Sequence, residues 1–382
     1  MTEQQVAKIR AVVHLVGLAA EAAAGISGVV RRMHQQIYRS VVPLSEQMTL
    51  PSLHEPIYEL VQGSLQSAAE LARQWPGSDW PEHPQWQGIL GAVRGVVGDH
   101  LETTGHPLVS DIELRDRNGQ LIQPENLVEQ QHIAIFVHGL CMNESAFSQP
   151  GFQSLFDVQA AAGWTIVFVR YNSGLSIAEN GRRLAMRLAQ LRATQLMLLG
   201  HSMGGLVIRA AYGQEEASVW VDKLRLAVYL GSPHAGAPLE RLGNQANALL
   251  GLSPWTQPLM QLGMIRSQGI QDLRHGAVGH STTQLPAGAT HLLIAGEFEE
   301  SKNLGVGPWV GDGLVPVASA LAQDADGNSL LQASCLIRKY FAGVGHLGLL
   351  SNTAVLDCIQ EYWNNLQTSA TQDIDAGLAQ DE

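Results

Sequence analysis

The grouping with the clearest chemical potential is Gly200-His201-Ser202-Met203-Gly204-Gly205. It has the form G-x-S-x-G and lies between an apolar run, Gln195 to Leu199, and a helix-compatible run, Leu206 to Ala211. A strand that turns sharply into a helix holds its central serine in a strained conformation with the hydroxyl projecting outward. Glycines on either side remove Cβ atoms that so tight a turn could not hold. The helix N-terminus favours the negative charge that develops when the serine attacks. The bare pattern also fits a helix-capping serine in a loop; the strand–turn–helix context is what points to a nucleophile.

A serine hydroxyl needs a base to take its proton and an acid to orient that base. In this kind of site the acid and then the base follow the serine at the ends of later strands. Gly345-His346-Leu347-Gly348 follows the last strand-like run, which makes His346 the expected base. His234 precedes any suitable acid, His275 and His280 fall in an insert, and His291 opens a strand. For the acid, Asp312 in Gly311-Asp312-Gly313-Leu314-Val315-Pro316 is preferred, because flanking glycines let a short loop aim its carboxylate. Asp324 and Asp326 are rivals, in a segment that reads as a solvated turn. The oxyanion of an acyl intermediate needs two backbone N–H donors. Met203 supplies one by position and Leu140, in Val137-His138-Gly139-Leu140, the other. His138 is read as a brace for that loop.

These residues need a sheet to carry them. Asp111 to Arg115 and Gln120 to Gln123 flank Asn118-Gly119, a strong hairpin signal. Six apolar runs follow, at Ile133 to Val137, Thr165 to Val169, Gln195 to Leu199, Leu226 to Leu230, His291 to Ala295 and Cys335 to Tyr340. Separated by helical spacers, they describe an α/β protein with an eight-stranded, mostly parallel sheet covered by helices on both faces. Residues 1–105 read as a helical N-terminal region, with segments over 4 to about 40, Pro56 to Gln74 and Trp86 to Val97. Its mixed polarity suits packing on the rest of the chain or on a membrane surface. The sheet domain is expected over 106–366. Its insert at 239–288 admits two readings, a helical excursion that completes the fold or a cap over the site. Residues 367–382 are polar and acidic and are expected to be disordered.

The 382 residues, 45% of them hydrophobic, can bury a large core, and a net charge of -12 without a basic cluster speaks against a nucleic-acid partner. Cys141, Cys335 and Cys358 are too few and too scattered for a disulfide framework or a zinc site, and Cys141 is expected to be buried and inert. Ala11 to Val30 resembles a signal peptide or a span, but Glu3, His14 and Glu21 interrupt the pattern. A cytoplasmic location, with membrane association as a further option, is therefore preferred to secretion.

At the segments quoted, together with Leu230-Gly231-Ser232-Pro233-His234-Ala235-Gly236-Ala237-Pro238, the sequence resembles the lipase and esterase branch of the α/β-hydrolases, in particular bacterial lipases and GPI inositol-deacylase-like proteins. The resemblance runs from about Val128 to Leu366. Gly98-Asp99-His100-Leu101 is similar to a segment that precedes the core in some bacterial relatives. The resemblance implies an α/β-hydrolase fold and a carboxylic ester hydrolase with a Ser202–His346–Asp312 triad. It also implies a structural role for the Ser232-Pro233-His234 segment. The family's calcium ligands have no match here, so neither a metal nor a cofactor is expected. The apolar insert suits a lipid-like ester substrate. An acyltransferase using the same acyl-enzyme, or a non-catalytic membrane-associated protein, are the alternatives.

Overall fold

The computed structural model describes residues 84–109, 111–237, 267–276, 283–298, 311–324 and 326–378, with a few helical positions among the first seventeen. Most of the expected helix at 4 to about 40, the one at 56 to 74, and most of the insert, residues 239–266 and 277–282, lie outside the described residues. Among the described residues, eight strands form one sheet: β1 (Glu113–Arg115), β2 (Leu121–Ile122), β3 (His132–Val137), β4 (Trp164–Arg170), β5 (Gln195–His201), β6 (Leu224–Leu230), β7 (Thr290–Glu297) and β8 (Cys335–Ala342). Their spatial order is β2-β1-β4-β3-β5-β6-β7-β8. The β1–β2 hairpin pairs antiparallel with itself and with β4, and all other pairs are parallel. Asp116 makes the hairpin turn, its Oδ1 accepting from the N–H groups of Asn118 and Gln120, both at 2.8 Å, while Gly119 takes φ 76°.

The inner parallel strands are apolar on both faces because both are covered, whereas the edge strand β8 is half-buried to exposed. Ile133, Ile135 and Val137 of β3 join one core, and Ala134 and Phe136 the other. The first core is closed by helices α1 (Pro84–Thr103), α3 (Ile177–Ala189) and α4 (Met203–Tyr212). The second holds an aromatic cluster in which Phe136 contacts Phe147, Phe152, Phe156, Phe168 and Trp363. Helices α2 (Pro150–Ala161) and α7 (Thr353–Leu378) cover that side. Helix starts follow local chemistry: Pro150 opens α2, and the Ser176 hydroxyl caps α3 by accepting from Glu179 N–H at 3.1 Å.

Two differences from expectation have physical causes. Helix α1 extends past Val97 to Thr103, bending at Val97 (φ −129°, ψ 18°) where Gly98 meets Asn172. It shares the sheet's first core through Leu90, Val93 and Leu101, so this part of the N-terminal region is built into the main fold. Of the insert, for which both a fold-completing excursion and a cap are expected readings, the described part includes α5 (Gln268–His275), which is fastened to that core. Ser267 donates to Gly95 O at 2.6 Å, Ala237 N–H to Leu273 O at 2.9 Å, and Ile270 and Leu273 are buried. Finally, α7 continues to Leu378, into the segment expected to be disordered; no proline interrupts that stretch. A four-residue helix α6 (Val317–Ala320) links β7 to β8. No helix among the described residues is long and apolar enough to cross a membrane.

Candidate active site

Ser202 stands between the last residue of β5 and the first of α4, at φ 54° and ψ −122°. A side chain rarely occupies that region, and the surroundings force it there. Ser202 N–H donates to Leu230 O at 2.8 Å, which pins the turn to the end of β6. The flanking glycines are sterically required. A Cβ on Gly200 would lie 2.5 Å from the backbone of Gly204, and one on Gly204 2.7 Å from His138 O.

His346 and Asp312 meet as expected. Imidazole Nδ1 lies 2.7 Å from Asp312 Oδ2. Oδ1 of the same carboxylate accepts from the N–H groups of Leu314 (3.0 Å) and Val315 (2.8 Å), so each oxygen has a fixed task. His346 N–H also donates to Asp312 O at 2.9 Å. Both side chains are buried, and His346 Nε2 has no hydrogen-bond partner among the described residues. A carboxylate on Nδ1 fixes the proton there and leaves Nε2 as the basic atom. The His201 ring lies 4.9 Å from that of His346, with its Nε2 3.3 Å from His346 O, so the residue preceding Ser202 touches the histidine loop. Burial, with a smaller contribution from His346, holds His201 well below the usual histidine range, so it stays neutral.

Leu140 lies in the loop after β3, and its N–H has no acceptor among the described residues. Met203 is the first residue of α4, where N–H groups lack an intrahelical acceptor. A Cβ at Gly139 would lie 3.1 Å from Ser202 Cβ, so the loop passes directly over the serine. His138 braces it: the ring stacks on Tyr171 with centroids 4.3 Å apart, accepts from Tyr171 N–H at Nε2 (3.4 Å) and donates from Nδ1 to Gly139 O (2.8 Å). Tyr171 OH donates to His138 O at 2.8 Å. Burial holds His138 at about 4, and pushes the Cys141 thiol up to about 12.

The rival residues are elsewhere. The Asp324 carboxylate accepts from its own turn, from the N–H groups of Asp326 and Asn328. His234 Nδ1 lies 3.0 Å from Arg209 Nη1 in the core, and His291 bonds the Tyr229 hydroxyl and Pro286 O. His280 and most of the insert are outside the described residues. No cluster of three or more histidine, cysteine, aspartate or glutamate side chains that could hold a metal occurs among the described residues. Sequence reasoning missed the loop after β4, Tyr171 to Gly174, which contacts the loop after β3; its turn-forming residues carry no sign of that partner.

Residues 183–262 match the model of the PGAP1-like alpha/beta domain family. That stretch holds the Ser202 turn and the Ser232–His234 segment but neither Asp312 nor His346. No curated protein matches the chain. Among solved structures, the chain is similar to the mature form of a lipase from Bacillus licheniformis, at 16% identity and a TM-score of 0.41, covering 65% of this chain and 95% of that one. It is also similar to carboxylesterase CesB from Bacillus subtilis (13% identity, TM-score 0.39, 67% and 90% covered). A third is alpha/beta hydrolase domain-containing protein 10 from mouse (14%, 0.41, 62% and 90%). With its parallel sheet, its strand–serine–helix turn after β5 and its acid and histidine after β7 and β8, the chain has the α/β-hydrolase fold.

Proposed function

We propose that this chain is a serine hydrolase that cleaves carboxylic esters through an acyl-enzyme. The observation that carries the reading is the Asp312–His346 pair, 2.7 Å apart, with His346 Nε2 left unpartnered beside the Ser202 turn. Ser202 Oγ attacks the acyl carbonyl while His346 Nε2 takes its proton, and Asp312 stabilises the imidazolium. The N–H groups of Leu140 and Met203 hold the oxyanion. The intermediate collapses as His346 returns the proton to the leaving alkoxide, and a water deprotonated by His346 then releases the acid.

An apolar acyl group fits the rim. Phe298 and Leu347 are 45% and 51% exposed, and Leu347 adjoins His346 while Phe298 packs against Gly345. Each buried methylene contributes about 0.8 kcal/mol, so longer chains gain on such a surface. The test is a series of p-nitrophenyl esters from acetate to palmitate, assayed with wild type and Ser202→Ala. Hydrolysis by wild type alone, rising with chain length, is expected. Equal inertness of both proteins across the series would refute ester hydrolysis, and activity in the alanine variant would refute the nucleophile.

A further inference from the structure

The oxyanion loop, residues 139–142, is held from behind by two elements that take no part in the chemistry. Cys141 adopts φ 60°, a left-handed conformation unusual for a residue with a side chain. Its N–H donates to the Ser173 hydroxyl at 3.0 Å, and Ser173 is itself buried. On the other side lies α1, presenting Gly91, Gly95 and Gly98 on one face. A Cβ at Gly95 would overlap Cys141 Sγ and stand 2.7 Å from its Cα and 2.8 Å from its N. At Gly91 it would lie 2.8 Å from Met142 O, and at Gly98 it would strike the Asn172 side chain. Asn172 Nδ2 donates to Gly98 O at 3.0 Å, and Ser267 fastens Gly95 O from the far side. By contrast, nothing lies within 4 Å of a Cβ placed on Gly88 of the same helix.

We infer that Ser173 and the Gly95 face of α1 are positioning elements that clamp Cys141 in its left-handed conformation and so aim the Leu140 N–H at the oxyanion. The inference rests on the ester-hydrolase reading. The peptide that carries the Leu140 N–H is held at its carbonyl, Gly139 O, by His138 Nδ1, and the next peptide, between Leu140 and Cys141, is held by the Cys141 N–H bond to Ser173 and the left-handed Cys141 backbone, so neither plane can turn freely. Such a donor helps only if it already points where charge appears, since reorientation during reaction would consume its advantage. Removing the Ser173 hydroxyl leaves the Cys141 N–H buried without an acceptor, and the loop can then relax toward ordinary φ values.

The test compares Ser173→Ala, Gly95→Ala, Gly88→Ala and Ser202→Ala with wild type in the full chain. For Ser173→Ala and Gly95→Ala, kcat should fall about 10- to 100-fold with KM nearly constant, as for loss of an aligned oxyanion donor. Affinity for an alkyl trifluoromethyl ketone, whose Ser202 adduct carries the oxyanion, should fall by a similar factor. The pH profile of kcat should not move, because Asp312 and His346 are untouched. Gly88→Ala should match wild type. Hydrogen exchange of the peptide spanning 138–143 should rise in Ser173→Ala and Gly95→Ala, a readout independent of activity. Unchanged exchange, or unchanged kcat and ketone affinity while Ser202→Ala is dead, would overturn the clamp alone. Activity surviving in Ser202→Ala would instead overturn the underlying reading.

Discussion

His346 and Asp312 are joined at two points, by side chain (Nδ1 to Oδ2, 2.7 Å) and by backbone (N–H to O, 2.9 Å). The double tie makes the two loops one rigid unit, so the ring's orientation is set before any substrate arrives. Replacing Asp312 by asparagine keeps a carbonyl oxygen for the Leu314 and Val315 N–H groups but faces His346 with an amide donor. The imidazole must then take the other tautomer, and kcat should fall about 10⁴-fold. Asp312→Ala, which also leaves buried N–H groups unmet, should cost about 1–3 kcal/mol of stability as well. Ester kinetics and urea denaturation on both variants separate the effects; an asparagine variant retaining most of its activity would remove Asp312 from its role.

Ser202 sets function against stability. Its φ of 54° is suited to glycine, so Ser202→Gly should be more stable than Ser202→Ala by about 1 kcal/mol, both lacking activity. Thermal melts of the two inactive proteins measure the difference. If alanine melted higher, the turn would hold no such strain.

Acid should unfold this protein through its buried histidines. Burial holds His138 at about 4, below its ordinary value of 6.5. Between those values the unfolded chain binds a proton that the folded chain does not. The stability His138 provides is therefore complete above pH 6.5 and is lost as pH falls toward 4, amounting to about 3 kcal/mol at most. Burial pushes His201, His234 and His291 in the same direction. Denaturation midpoints should drop steeply across that window, and His138→Gln should flatten the slope. A wild-type midpoint constant from pH 7 to pH 4.5 would contradict this.

The cysteines should react in a defined order. Cys335 is exposed, whereas burial pushes the Cys141 thiol up to about 12 and raises Cys358. Because thiolate is the reactive form, a thiol reagent at neutral pH should label Cys335 first and Cys141 only on unfolding. Mass spectrometry of timed samples identifies the sites, and early labelling of Cys141 would show that its loop opens readily.

The strands were legible because burial on both faces writes itself into sequence as unbroken apolar runs. Those of β3, β5 and β6 lie within a few residues of their observed ends. The strand–turn–helix setting of Ser202 and the meeting of Asp312 with His346 were legible because a turn chemistry and a chain order constrain them. The packing of α1 against Cys141 was not, since three glycines in a helix mean nothing until the partner is known. Nor does any turn residue announce the left-handed Cys141, which is imposed by contacts from residues 95 and 173. The continuation of α7 beyond 367 was hidden for a different reason: its polar composition speaks of solvent contact and not of backbone conformation.

The placement of the serine at the end of β5 and the histidine after β8 has a consequence for biosynthesis. At about 5–20 residues per second, a growing chain would carry Ser202 for roughly seven to thirty seconds before His346 is made. On the proposed mechanism, the hydroxyl has no proton acceptor until the last strand docks beside β7, and until then it is no more reactive than any other serine. On that mechanism reactivity arrives together with the fold, and a half-made chain cannot take an acyl group onto Ser202.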